Sequence, residues 1–388
     1  MYIHNSIVKT NNNRNDYRQL VKDSHSVTYN QTEGSNHLVE NNYSVNYSHL
    51  VEDNDLIERK EILVIEGTGE ILQDISSTGR IRNWSEKKEM NLELVELLKE
   101  FRIEYPELLT STRLIQIEDC ATELKYGKLE EGKKKLIGAN FCRFKLCPIC
   151  VWRKSLKLFG QVSAVAEKLN KEYPFGRYIF ATFTVKNVRA EELSDAIDKL
   201  NEGFKRLVQK NKTMAEAKVF QSSLLGYLKC LEITYNKKTH EYHPHIHVVF
   251  HLKSSCFGKN YISHNKWVSI WKSMMNLDYN PEVNIRMIKK EDLNNSNLIG
   301  EIAKYPIKTS DILNIKDRDE QIEVLHALLS NTHHRRFVTF GGIFRVTKRQ
   351  LQLDGIETGN LLESESRKLN YIAYELYRYD FKFGCYIC

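Results

Sequence analysis

Apolar and polar positions divide this 388-residue chain into an unpatterned leader and a patterned body. Residues 1–60 hold 11 Asn and 6 Ser and show no sustained apolar period. Such a segment cannot bury enough surface to offset chain entropy, so it is expected to be a disordered leader. Residues 61–82 contain an alternating run, ILVIEGTGEILQDI, that suggests a hairpin around Gly67–Gly69. Leu92, Val95, Leu98 and Phe101 recur at helical spacing within 86–104, and Pro106 closes that helix.

Beyond residue 110 the pattern strengthens. Residues 153–172 read as a basic amphipathic helix and 177–186 as a strand rich in β-branched and aromatic residues. A helix is expected over 190–211, then two strands, 226–235 and 244–252, joined by the polar turn NKKTHEYH. Further helices are expected at 263–275, 292–305 and 317–331, with a strand over 335–346. Hairpin-linked strands and long helices predict an α+β domain with a mainly antiparallel sheet.

Composition narrows the function classes. No run approaches the ~18 apolar residues of a membrane span, and the N-terminus lacks the apolar stretch of a secretory signal. A soluble cytoplasmic protein without a membrane partner is expected. The 57 Lys+Arg and 50 Asp+Glu give +7 overall, but residues 1–110 carry −7 and residues 111–350 carry +16. A basic body of this kind suits a polyanion, because neutralising phosphates releases counterions.

The segment His243-Pro244-His245-Ile246-His247-Val248 carries candidate chemistry. Side chains alternate along a strand, so His245 and His247 share a face about 7 Å apart and can converge on one divalent ion. His243 shares that parity but sits at the turn and before a proline. Glu232, on the preceding strand, is the expected third ligand. One oxygen beside two nitrogens suits Mg²⁺ or Mn²⁺.

A second cluster is Gly300-Glu301-Ile302-Ala303-Lys304-Tyr305-Pro306-Ile307-Lys308. Glu301 and Tyr305 share a helix face, and Pro306 presents the phenol at the helix end. Lys304 and Lys308 favour the phenolate and make Tyr305 a candidate nucleophile. No phosphate-cradling Gly-x4-Gly-Lys-Ser/Thr loop occurs.

All 8 cysteines lie at or beyond Cys120. Cys142, Cys147 and Cys150 form a knuckle, FCRFKLCPIC, that suits structural Zn²⁺. Cys120 is one candidate for the fourth ligand, and Cys385 or Cys388 is another. That last pair also reads as free thiols in a final strand, while Cys230 and Cys256 read as core residues. Arg143, Lys145, Arg153 and Lys154 surround the knuckle, with Phe144 and Trp152 interleaved. These, with Lys304 and Lys308, suit phosphate contacts, with the aromatics free to stack bases; the competing reading of the knuckle group is a solvated helix face with its aromatics in the core.

These motifs resemble those of the rolling-circle replication initiators of small bacterial plasmids, within the HUH endonuclease class. Residues 180–187 (FATFTVKN) resemble the family's first motif, 243–248 its HPHxHV metal motif, and Glu301, Lys304, Tyr305 and Lys308 its ExxKYxxK motif. The resemblance spans roughly 115–350 and also includes the upstream cysteines. It implies a ferredoxin-like (RRM-like) HUH nuclease domain over 161–350 with a central antiparallel sheet. A zinc-knuckle segment over 111–160 precedes it, and a tail over 351–388 follows. The first 60 residues and a hairpin/helix segment over 61–110 lie outside it.

The resemblance further implies that Tyr305 cuts origin DNA, single-stranded or extruded as a hairpin. The products are a 5′-phosphotyrosyl bond and a 3′-OH primer for host helicase and polymerase. Glu301 would activate water at termination, its competing role being an ion pair with Lys304 or Lys308. The alternatives are a relaxase or transposase of the same class, or a non-enzymatic zinc-dependent DNA-binding regulator.

Overall fold

The computed structural model describes residues 63–76, 79–209, 215–258, 260–289, 307–362 and 371–388. The leader 1–60, the helix expected over 292–305, and with it Glu301, Lys304 and Tyr305, lie outside the described residues.

The chain begins with β1 (Leu63–Ile65), α1 (Trp84–Glu104), α2 (Ser111–Glu118), β2 (Glu123–Lys128), β3 (Lys134–Ala139) and α3 (Pro148–Glu172). It continues through β4 (Arg177–Thr184), α4 (Leu193–Val208), α5 (Ala215–Ser223), β5 (Leu224–Asn236), β6 (Glu241–Leu252), α6 (His264–Met275) and β7 (Val283–Ile288). The last elements are α7 (Thr309–Leu313), α8 (Arg318–Thr332), β8 (Val338–Gly342), α9 (Ile343–Gln350), β9 (Ala373–Asp380) and β10 (Cys385–Ile387).

Two five-stranded sheets organise these elements. The first runs β1-β9-β2-β3, with β10 also paired to β9. The hairpin expected around Gly67–Gly69 does not form. Gly67 and Gly69 do adopt positive φ. Their flanks, however, pair with the chain's far end: β1 runs parallel to β9, and Ile71 bridges to Ile387. Short alternating segments find whichever strand offers an edge, and here that edge comes from residues 373–387.

The second sheet is antiparallel throughout, in the order β7-β4-β6-β5-β8. Its first four strands and their helices follow a β-α-β-β-α-β path, with β8 added outside β5. Period-2 alternation assigns the two faces. Phe183, Ile246, Val248 and Phe250 turn toward α4 and α6, meeting Leu200, Phe204, Trp267 and Trp271. Tyr178, Phe180, Leu228 and Val249 turn the other way, against Leu158, Val162 and Val165 of α3 and Phe344 of α9. Among the described elements, α3 and α9 cover one end of this second face.

The strand expected over 335–346 is split into β8 and α9. Gly342 has φ +55 and Leu225 O would lie 2.3 Å from any added Cβ, so only glycine turns the chain there. Past it, Phe344 and Thr347 point inward while Arg345 and Arg349 are exposed, a helical period. Cys230 and Cys256 are buried, each 4% exposed. No described helix is long and apolar enough to cross a membrane.

Candidate metal centres

The long β5–β6 hairpin closes at Asn236 and Glu241 and turns through His240 at φ +55. Its register pairs Glu232 with His245 and Cys230 with His247. On the other side of β6, Thr184 pairs with His245 and Thr182 with His247. Pro244 sits in this central strand without harm. β4 leaves β6 after Thr184, and the chain returns only at the Val188–Tyr242 bridge, so the missing N–H faces a gap in the ladder.

Glu232, His245 and His247 place their ligand atoms within 4.8 Å of one another. Glu232 Oε2 is 2.8 Å from His247 Nε2 and 3.4 Å from His245 Nε2. His245 Nδ1–H donates to the His243 carbonyl at 3.0 Å, and His247 Nδ1 lies 3.0 Å from Thr182 Oγ1. These outer partners orient each ring so that its Nε2 faces the carboxylate, the arrangement of metal-binding histidines. Burial pushes the Glu232 carboxyl up. Hydrogen bonds and charge from His245 and His247 outweigh it and hold the group well below the usual range, so it is ionised. Two imidazole nitrogens and one carboxylate oxygen, mostly buried, fit a divalent cation. His243 stands outside the trio, bonded through Nδ1 to Asn187 Oδ1 at 2.8 Å.

A second group gathers Cys120, Cys142, Cys147 and Cys150, all buried. Cys147 caps α3, Pro148 occupies the next position, and Cys150 lies in the first turn, where the helix dipole favours thiolates. Arg143 and Ala121, both at positive φ, turn the chain so that Cys142 and Cys120 face them. Sulphur separations of 3.6, 3.6 and 3.7 Å approach the ~3.8 Å edge of a tetrahedron with ~2.3 Å Zn–S bonds. Backbone N–H groups of Arg143 and Phe144 donate to Cys150 and Cys142 sulphurs at 3.1 and 3.4 Å. Hydrogen bonds from the other three cysteines hold Cys142 well below the usual thiol range, whereas burial and those neighbours push Cys147 up. A cation would let all four ionise. Cys385 and Cys388 are not part of this group; Cys388 Sγ instead lies 3.5 Å from the Ile65 carbonyl.

The basic residues around the knuckle require correction. Arg153 and Lys154, expected at a DNA surface, are each 2% exposed. Arg153 donates twice to the Leu361 carbonyl, at 3.1 and 2.9 Å, and lies over Trp84 and Trp152. Lys145 donates to the Thr332 carbonyl and sits over Phe337. Phe144 is buried as well. Residues 354–361 fold back over α3 and cover this face, with Lys157 bonded to Asp354 and Asn360. Arg143 and Lys308 remain exposed.

Three residues that the sequence reading passed over complete these centres. Thr182 orients His247. Lys88 and Asn91 of α1, both 0% exposed, abut the cysteines, and Asn91 Nδ2–H donates to Cys147 Sγ at 3.6 Å. Their signal was present: Trp84, Lys88, Asn91, Val95 and Leu98 form one helical stripe, so two polar residues interrupt a buried face.

Comparison with known proteins gives the chain's family. A family model described as "Replication protein" matches residues 133–386. A "Protein rep" of Streptococcus pneumoniae serotype 2 is 36% identical over 300 residues, covering 76% of this chain and 88% of that one. A "Protein rep" of Bacillus amyloliquefaciens is 35% identical over 330 residues, covering 80% and 94%. A Staphylococcus aureus "Replication protein" is 31% identical over 211 residues, covering 53% and 86%. No solved structure gives a significant match. With the matched region enclosing both the histidine strand and three of the four clustered cysteines, the chain belongs to the plasmid Rep family of replication proteins.

Proposed function

We propose that this Rep protein initiates rolling-circle replication by nicking one strand of origin DNA. The observation that carries the reading is the convergence of Glu232, His245 and His247 on one sheet face. The β-α-β-β-α-β strand order supports a ferredoxin-like HUH nuclease domain. In the reaction, the Tyr305 phenolate oxygen attacks phosphorus and the P–O3′ bond breaks. The 5′-phosphate stays esterified to Tyr305, and the leaving oxygen takes a proton to become the 3′-OH primer. Bond energy is kept in the ester, so the cut needs no nucleotide cofactor.

Glu232, His245 and His247 would hold Mg²⁺ or Mn²⁺, which supplies charge withdrawal from a phosphate oxygen. Thr182 and the His243 carbonyl keep the two rings oriented for that role. Glu301, four residues before Tyr305, activates water in the terminating hydrolysis. Cys120, Cys142, Cys147 and Cys150 would hold Zn²⁺, which ties α2, the knuckle and α3 together. Host helicase and polymerase extend the exposed primer.

The test is incubation of the full chain with Mn²⁺ and a supercoiled plasmid carrying its own origin. Relaxed plasmid and a protein–DNA adduct are expected, and both disappear in Tyr305→Phe. Binding without an adduct would make the protein a DNA-binding regulator.

A further inference from the structure

Two exposed cations flank the metal trio, and each is held against an aromatic ring. Arg286 on β7 pairs in register with Phe180, and its guanidinium lies over that ring, 4.7 Å from the centroid. Phe180 in turn stacks on His247, with ring centroids 5.5 Å apart and planes at 20°. Asn284, exposed on the same face of β7, pairs with Thr182, the partner of His247. At the opposite end, Lys186 follows β4 and its ammonium lies 4.1 Å from the centroid of the Tyr279 ring. The Tyr279 hydroxyl accepts the Lys186 backbone N–H at 3.0 Å. The next residue, Asn187, holds His243, whose ring centroid is 5.0 Å from that of His245.

Along β4 the sequence is therefore Phe180 with Arg286, then Thr182 with His247, then Thr184 with His245, then Lys186. At a rise of about 3.3 Å per residue the two cations stand on the order of 20 Å apart along the strand, with the trio between them. Stacking holds each side chain in place, so less entropy is lost when a phosphate docks. Among the described strands β7 is the edge of this sheet, and Asn284 and Arg286 on it are exposed beside the trio. Glu241 at the Lys186 end is engaged by Asn187 Nδ2 at 3.4 Å.

We infer that Arg286, Asn284 and Lys186 form a phosphate track that guides single-stranded DNA across the metal trio. The track rests on the nicking reading and deepens it by naming the surface that holds the substrate strand.

Anisotropy of a labelled 20-nucleotide oligo-dT, titrated with the full chain at several salt concentrations, tests it. Each phosphate contact contributes about 0.7 to the slope of log K against log salt for single strands. The Lys186→Gln/Arg286→Gln double variant should lower that slope by about 1.4 and weaken binding roughly tenfold at low salt. Mn²⁺ affinity should not change, because neither residue is a ligand. Arg286→Lys should keep the slope. A double variant with wild-type slope and affinity overturns the track, even if the wild type nicks its plasmid. A wild type that binds oligo-dT through these residues yet forms no adduct overturns the nicking reading and leaves the track standing.

Discussion

Lys88 Nζ donates to the Cys120 carbonyl at 2.9 Å and to the Glu118 carbonyl at 2.6 Å, joining α1 to the backbone that presents a cysteine of the four-sulphur group. Lys88 is 0% exposed, and burial pushes its ammonium down while Cys120 and Cys147 oppose that effect. Lys154, equally enclosed, is pushed down by burial and supported by Cys150. Four thiolates around a bound Zn²⁺ would carry a formal charge of roughly −2, which the two buried ammonium groups would balance. The helix that precedes the matched family region thereby becomes a wall of this centre.

Lys88→Met is expected to remove that balance along with its hydrogen bonds to the two carbonyls and to Asn91. The expected loss is about 2–4 kcal/mol of unfolding free energy, with faster transfer of zinc to a chelator. Urea denaturation and a zinc-release assay measure the two effects. Wild-type zinc release in the variant would reduce Lys88 to a cap for the end of α2.

The identity of the fourth sulphur ligand is separable by spectroscopy. Cobalt substitution of the full chain should give the absorption of a tetrahedral four-thiolate site. Cys120→Ser should alter that spectrum and weaken binding, whereas the Cys385→Ser/Cys388→Ser pair should leave it unchanged. The 3.6 Å contacts of Cys120 with both Cys147 and Cys150 are the basis for this expectation.

At the histidine centre, Thr182→Val removes the oxygen that orients His247 and keeps the β-branched shape that suits β4. Loss of such an outer partner typically costs 10–100-fold in metal affinity. Mn²⁺ titration should show a loss in that range, while thermal unfolding of the metal-free protein shifts little. Equal Mn²⁺ affinity would mean that the β6 backbone alone fixes the ring.

These centres differ in how much the sequence disclosed. The histidine strand was legible because period-2 alternation and a short hairpin are local rules, and together they put Glu232 beside His245 and His247. Four-ligand chemistry likewise calls for a fourth cysteine beside Cys142, Cys147 and Cys150, but spacing alone leaves Cys120 and the Cys385–Cys388 pair both open. The covering of Arg153 and Lys154 was not legible, because the segment that covers them lies about 200 residues away and carries no local periodicity. The same non-locality moved β1 from a hairpin to the edge of β9. The run RRFVTFGGIFRV reads as one strand from its β-branched and aromatic content, yet the Gly341-Gly342 turn ends β8 and starts α9.

Lys229 provides a test of the core on the face of the sheet opposite the histidine centre. It is 7% exposed on β5, bonded to Asn201 Oδ1 at 2.6 Å and stacked over Phe204. Burial lowers its pKa to about 8 from an unfolded value of 10.5. The unfolded chain therefore binds more protons between those values, so this residue makes stability rise as pH climbs through that window. Below about pH 8 both states are charged and the folded state bears the full cost of the buried ammonium, at most about 3 kcal/mol. Lys229→Met keeps the volume and removes the charge. It should raise unfolding free energy at pH 7 by about 1–3 kcal/mol and flatten the pH dependence between 8 and 10.5, as read from urea melts of variant and wild type. A destabilised variant would show instead that the Asn201 bond and the Phe204 contact outweigh the desolvation of the ammonium.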